Sequence, residues 1–233
     1  PTPQARVSTD QNYQDWLAQR TFFETDTKFI DLSHSDTKVS PPVFHLIIRL
    51  PAGFEAHLAD TLDSLGQQIH EGWHLDIIST LPSPDGLDEV ENIDWHTLEN
   101  DSEFKATADF LAKASPYNWL VEIPAGARLD ILYLWRLSAE ITASPETRAF
   151  FVDDDCCDST GQRHSPRFKP GTNPATLQST DMAGPLCVHK DAWIESGGAG
   201  EGNGSPWFGQ LLHIAETFGW QSIKHIPDVL ITY

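Results

Sequence analysis

The chain has 233 residues, 39% of them hydrophobic and 21% charged, and carries a formal net charge of −19. That length and balance suit one large globular unit able to bury a full core, and the acidity argues against nucleic acid and anionic membrane surfaces as direct partners, since both would be repelled. No run of eighteen apolar residues occurs, so no membrane span is predicted, and the polar stretch from Pro1 to Arg20 lacks the apolar core of a signal peptide.

The absence of a starting Met and the apolar run at the last residue lead us to expect a piece of a longer chain with other domains. The three cysteines, Cys156, Cys157 and Cys187, make a poor disulfide framework and too small a set for a structural zinc site. A reducing, cytoplasmic setting is the expectation.

Residues 1–40 read as a polar extension with one helix around Tyr13, Trp16 and Leu17, closed by Pro41-Pro42. Val43 to Leu50 is a short β-branched apolar run of the kind found in buried parallel strands. Leu58, Leu62, Leu65 and Ile69 recur at helical spacing, and Trp73 to Ile78 reads as a second strand, which together make a β-α-β unit. After an acidic, turn-rich stretch from Pro82 to Glu91, Ile93 to Leu98 reads as a weak strand. Phe104, Ala108 and Leu111 mark a helix, and Asn118 to Ile123 a strand ending at Pro124-Ala125-Gly126.

Ile131 to Ile141 is a further helix, and Ala149 to Val152 a strand that runs into Asp153-Asp154-Asp155. A turn at Asp158 to Gly161 follows, then an irregular stretch from Phe168 and a short strand from Leu186 to His189. A glycine-rich loop from Gly197 to Gly204 leads to a helix over Phe208 to Phe218 and a closing strand from Val229 to Tyr233. Alternating strands and helices predict an α/β fold, a mostly parallel sheet covered on both faces.

Ligands of such sheets bind beyond the carboxyl ends of the strands. Pro51, Ser79 and Glu122 are therefore candidate nucleotide or sugar contacts. The aspartate triplet is the sharpest local signal. Three adjacent carboxylates need a cation or donors to offset their repulsion. Alternate residues of an extended segment face the same way, so Asp153 and Asp155 could share one Mg²⁺ or Mn²⁺, with Asp154 beside them. A solvated acidic turn is the competing reading. Trp207, next to the glycine-rich loop, is the tryptophan best placed to stack on a sugar or a base. The ten histidines form no tight metal-binding pair in the sequence, and no nucleophile elbow is present.

The stretch from Phe150 to Gly198 resembles a passage of bacterial family 2 glycosyltransferases of polysaccharide and O-antigen assembly. Asp153-Asp154-Asp155, Asp158, Gly161, Phe168-Lys169-Pro170 and Gly197-Gly198 fall on the family pattern in order, as do the closing His225-Ile226-Pro227 and Val229-Leu230. Upstream, Leu62, Ser64, Leu65 and Gln68 match its opening unit, and Tyr13 and Trp16 its aromatic lead-in.

The resemblance implies a GT-A-type fold with an extension over residues 1–40 and a domain over 41–233. Its nucleotide-binding half would span about 41–155 and its acceptor half about 156–233. It further implies transfer from a nucleotide-sugar donor to a glycan acceptor, helped by Mg²⁺ or Mn²⁺. Three departures stand against a working site. Ser79-Thr80-Leu81-Pro82 replaces the family's base- or ribose-holding Asp. Glu122-Ile123-Pro124-Ala125-Gly126-Ala127 replaces its metal-binding Asp-x-Asp. Gly204-Ser205-Pro206-Trp207 replaces the segment that holds its base, leaving Glu201 as the nearest acid. The expectation is thus either a transferase with altered residues or an inactive module of the same fold that binds a glycan or supports another domain.

Overall fold

The computed structural model describes residues 3–20, 40–179, 183–199 and 206–233. Helix α1 (Pro3–Ala18) precedes a β-α-β unit of β1 (Phe44–Leu50), α2 (Glu55–Gly66) and β2 (Trp73–Ser79). The alternation continues through β3 (Ile93–Thr97), α3 (Phe104–Ala114), β4 (Trp119–Pro124), the short β5 (Arg128–Leu129), α4 (Tyr133–Ala143) and β6 (Ala149–Cys157). The second part holds β7 (Arg163–Arg167), α5 (Pro174–Ser179), β8 (Cys187–His189), α6 (Lys190–Glu195), α7 (Pro206–Phe218) and β9 (Ile223–Thr232). No helix among the described residues is long and apolar enough to cross a membrane.

The sheet runs β3-β2-β1-β4-β8-β6-β9-β5, with β7 added on β6. The first four strands are parallel, β8 is antiparallel to both neighbours, and β6 pairs in parallel with β9. Strand side chains alternate between faces, and each face buries its own core. On one side Phe44, Leu46 and Ile48 meet Leu58 and Leu65 of α2 and Tyr133, Leu134 and Leu137 of α4. On the other, Ile47, Ile78 and Leu120 meet Phe104, Ala108 and Ala112 of α3, Trp193 of α6, and Leu211 and Ile214 of α7. This is the mixed α/β architecture, largely parallel and covered on both faces, that the alternating pattern predicts.

Two differences from the sequence reading bear on the site. Strand β6 does not stop at Val152 but continues to Cys157, so the aspartates are strand residues and not a turn after the strand. Strand β9 starts at Ile223, ahead of the apolar run. Pro227 cannot donate to a ladder, and the register with β6 slips between Val152 and Asp153 and again before Asp154. Strand β7 was unreadable because Arg163–Arg167 is polar and contains Pro166; it is held as the partner of the aspartate segment.

Candidate functional site

The carboxyl ends of β1, β2 and β4 lie level, with Leu50 opposite Ser79 and Arg49 opposite Pro124. Pro51 closes β1 in a turn, its carbonyl accepting from Phe54 N at 3.2 Å, and the Phe54 ring is 49% exposed. Ser79 is buried, and its hydroxyl is occupied twice. It donates to Leu50 O at 2.8 Å and accepts from Leu81 N at 3.1 Å. A group that closes on its own backbone in this way offers little to a base or a ribose.

Glu122 projects from β4 into the face covered by α3. It is buried, and its Oε2 has no hydrogen-bond partner among the described residues. Burial raises its carboxyl to about 7, Asp109 adds to that, and Arg49 and Lys105 oppose it. The Arg49 guanidinium lies 5.0 Å above the Phe104 ring. Asp109 and Lys105 fasten the start of the glycine-rich segment to α3. Asp109 Oδ1 accepts from Ala199 N at 2.7 Å, and Lys105 Nζ donates to Gly197 O at 2.6 Å and Ala199 O at 2.7 Å. Gly198 has φ +85, and a Cβ there would lie 2.0 Å from Asp109 Oδ1, so only glycine fits. Trp207 is half-buried against the α3-side core, with its indole Nε1 lacking a partner among the described residues. Glu201 and the rest of the loop through Ser205 lie outside the described residues.

The aspartate triplet is buried, and each carboxylate has its own partners. Asp153 Oδ1 accepts from His225 Nε2 at 2.7 Å and from Lys169 N at 2.8 Å. Asp154 is paired with Arg167 through Oδ1 and with Lys169 Nζ at 2.9 Å through Oδ2. Asp155 Oδ2 accepts from Tyr13 OH at 2.5 Å and Arg163 Nε at 2.7 Å. Lys169 also donates to the carbonyls of Val152 and Ala183. Burial pulls the Lys169 ammonium downward, and Asp154 opposes that shift.

Asp153 and Asp155 share no hydrogen-bond partner; His225 and Arg163 each hold one oxygen of the pair, and Asp155 Oδ1 is buried without a hydrogen-bond partner among the described residues. A divalent ion bound to a diphosphate would compete for these carboxylates with the partners they already hold. Helix α1, which the sequence assigned to an extension, belongs to this hub. Besides the Tyr13 bond, Gln14 donates to Arg163 O, Trp16 packs edge-on against Phe168 at 5.9 Å, and Arg20 pairs with Asp228.

A second polar cluster escaped the sequence reading. Among the described residues, His45, His74 and Asp76 form a group whose potential ligand atoms all lie within 4.8 Å. His45 Nε2 is 2.6 Å from Asp76 Oδ2, and His96 Nε2 is 2.8 Å from Asp76 Oδ1. Burial alone would raise the Asp76 carboxyl, but the hydrogen bonds from His45 and His96 outweigh it and hold the group well below the ordinary range. The sequence did contain a signal. His74 and Asp76 are alternate residues of one strand, and Asp94 and His96 of its neighbour, so each pair falls on one face.

No family model matches the chain. It is 25% identical over 199 residues to the O-antigen biosynthesis protein RfbC of Myxococcus xanthus, a match that covers 81% of this chain but 16% of that protein. Among solved structures it is similar to S. aureus TarS 1–349 in complex with UDP, with a TM-score of 0.62, 13% identity, and coverage of 82% of this chain and 60% of that one. The complex of the same protein with UDP-GlcNAc gives a TM-score of 0.61 at 12% identity, covering 82% and 58%. The fold is therefore of the GT-A type, and the resemblance to O-antigen assembly proteins carried by the sequence recurs in the Myxococcus xanthus relative.

Proposed function

We propose that this chain is a glycosyltransferase-fold module of bacterial surface-polysaccharide assembly that serves a longer protein by binding glycan or supporting a partner domain, without itself carrying out metal-dependent sugar transfer. One observation supports this above the others: Asp154 and Asp155 are already paired with Lys169, Arg167 and Arg163, and Asp153 is hydrogen-bonded to His225 and the Lys169 amide. Sugar transfer from a nucleoside diphosphate needs charge compensation on the leaving diphosphate and a base for the acceptor hydroxyl. Ser79 is closed on backbone, and among the described residues no carboxylate pair at the mouth of the sheet stands clear of cationic partners to take up the first task. A fold carries no activity by itself.

A second reading has its own support. Glu122 is a buried carboxyl with an unpartnered oxygen and an affinity for protons near neutrality, beside the Arg49 side chain. Poised near 7, such a group is suited to accept a proton, and the TarS structures hold UDP and UDP-GlcNAc on this fold. In that reading Pro51, Ser79 and Trp207 border the donor, and Glu122, with Glu201 as its rival, serves as base.

Calorimetry separates the two. The first reading expects no binding heat from UDP or UDP-GlcNAc, with or without Mn²⁺. It also expects Asp153→Asn in the longer protein to lower stability while leaving kcat of any associated transferase intact. One-to-one donor binding with micromolar Kd, weakened by Glu122→Gln, would establish the second reading and overturn the first.

A further inference from the structure

Three histidines from three adjacent strands converge on one buried carboxylate near the amino end of the sheet. His45 is the second residue of β1 and His74 the second of β2, directly opposite each other in the register. Asp76 lies two residues further along β2, and His96 on β3 reaches it from the other side. All four side chains line a cleft of about 250 Å³ that opens between this sheet edge and the end of α3, bordered by Leu111, Ser115 and Tyr117. The cleft is roughly 16 Å along β1 from Leu50, at 3.3 Å per residue, so it is separate from the mouth where a donor would sit.

We propose that His45, His74 and Asp76 bind one late first-row divalent cation, Zn²⁺ foremost, with His96 fixing Asp76 from behind and a fourth position open to the cleft. The spacing supports it. Tetrahedral bonds of about 2.0–2.1 Å place neighbouring ligand atoms roughly 3.3 Å apart. His74 Nε2 is already 3.6 Å from Asp76 Oδ1, and 3.2 Å from Oδ2 of the exposed Asp94. His45 Nε2 is 2.6 Å from the other oxygen of Asp76, Oδ2, which is the ligand atom if His96 keeps Oδ1; His45 must then part from it by about 0.7 Å and His74 draw in toward it, within a group that already spans no more than 4.8 Å.

The other elements of such a site are present. The His96 bond to Asp76 Oδ1 is the outer contact that commonly orients a ligating carboxylate. Imidazole with carboxylate selects Zn²⁺, Ni²⁺ or Cu²⁺ over Mg²⁺ and Mn²⁺, which prefer all-oxygen shells. On binding, Nε2 of His45 gives up its proton to Nδ1 or to solvent, with no redox change. Nδ1 of His45 is buried without a partner among the described residues. The missing outer contact sets the affinity at roughly 1 µM, below that of closed structural sites.

The test is titration of the tag-free, EDTA-treated chain with Zn²⁺, followed by competition against a chromogenic chelator and by a thermal melt. One equivalent should bind with Kd of roughly 1 µM and raise the melting temperature, while Mg²⁺ and Mn²⁺ do neither. Co²⁺ should give the visible bands of a tetrahedral site. His74→Ala, on a partly exposed edge side chain, should stay folded and weaken Zn²⁺ at least tenfold, as should Asp76→Asn. Asp153→Asn should leave the affinity unchanged. Failure to bind one equivalent below about 100 µM, or equal affinity in His74→Ala and the parent chain, overturns the site.

Discussion

Two buried aspartate clusters sit in this one sheet, and they are neutralised by different chemistry. Asp154 and Asp155 on β6 are paired with the Lys169 ammonium and the Arg167 and Arg163 guanidinium groups, the guanidinium groups charged at any ordinary pH. Asp76 on β2 faces imidazoles, which can exchange their protons for a metal ion. The same residue type is thus locked into architecture at one place and left exchangeable at the other. An acidic motif is a candidate metal site only after its counter-charges have been counted. By that test the conspicuous triplet is the weaker candidate and the inconspicuous His-Asp cluster the stronger.

The largest effect should come from breaking the locked cluster. Asp154→Ala leaves Lys169, whose side chain is 1% exposed, as an unpaired buried charge. Removing one partner of a buried pair costs about 3–5 kcal/mol, which for a chain of this size lowers the melting temperature by on the order of 10 °C. Lys169→Met in the same background should recover part of the loss, because the orphaned charge goes with it. Denaturant unfolding of both single variants and the double gives the coupling directly. Additive losses would mean that Asp154 and Lys169 do not act as a pair.

Glu122 sharpens the comparison, as a buried acid whose Oε2 has no hydrogen-bond partner among the described residues and whose cationic neighbours, Arg49 and Lys105, do not outweigh its burial. Its folded value of about 7 lies above the 4.5 of an ordinary glutamate. Between those two pH values the folded chain holds a proton that the unfolded chain has released, so stability falls as pH rises through that window. The difference of 2.5 units corresponds to about 3 kcal/mol. Glu122→Gln keeps the shape without the ionisation. It should therefore be more stable than the parent at pH 8, by up to about 3 kcal/mol, and no more stable at pH 4. Urea midpoints at the two pH values check this. A Gln variant with no gain at pH 8 would mean that the carboxylate finds a compensating donor.

The sequence disclosed the layered fold because that fold rests on local periodicities. The apolar run of β1 and the Leu58-Leu62-Leu65 stripe of α2 carry their own structure in their spacing. It disclosed the triplet as a feature but not its state. Arg163, Arg167, Lys169, His225 and Tyr13 come from four different segments, and only the fold brings their charges onto β6. The His cluster was hidden for the same reason. His45, His74 and His96 are far apart in the chain and neighbours only across the register of β1, β2 and β3. Ser79 could be read as a departure from the family pattern, whereas its closure onto Leu50 O needed coordinates.

The smallest of these effects tests how far the locked cluster extends. Tyr13 joins it from α1, more than a hundred residues away in sequence, through its hydroxyl on Asp155 Oδ2. Burial pushes the Tyr13 phenol upward, and the hydrogen bond to Asp155 adds to the shift, so the group remains a donor at any physiological pH. Tyr13→Phe deletes that donor but keeps the ring that stacks on Trp16 at 5.6 Å. Asp155 retains Arg163, so the loss should sit at the low end of the roughly 1.5–3 kcal/mol range for a hydrogen bond to a charged acceptor. Because α1 is fastened here, the same substitution should also loosen the helix, and hydrogen exchange at residues 11–18 should speed up ahead of global unfolding. Unchanged exchange in α1 would mean that the Gln14, Trp16 and Arg20 contacts hold this end of the chain without the Tyr13 bond and that the charge network ends at β7.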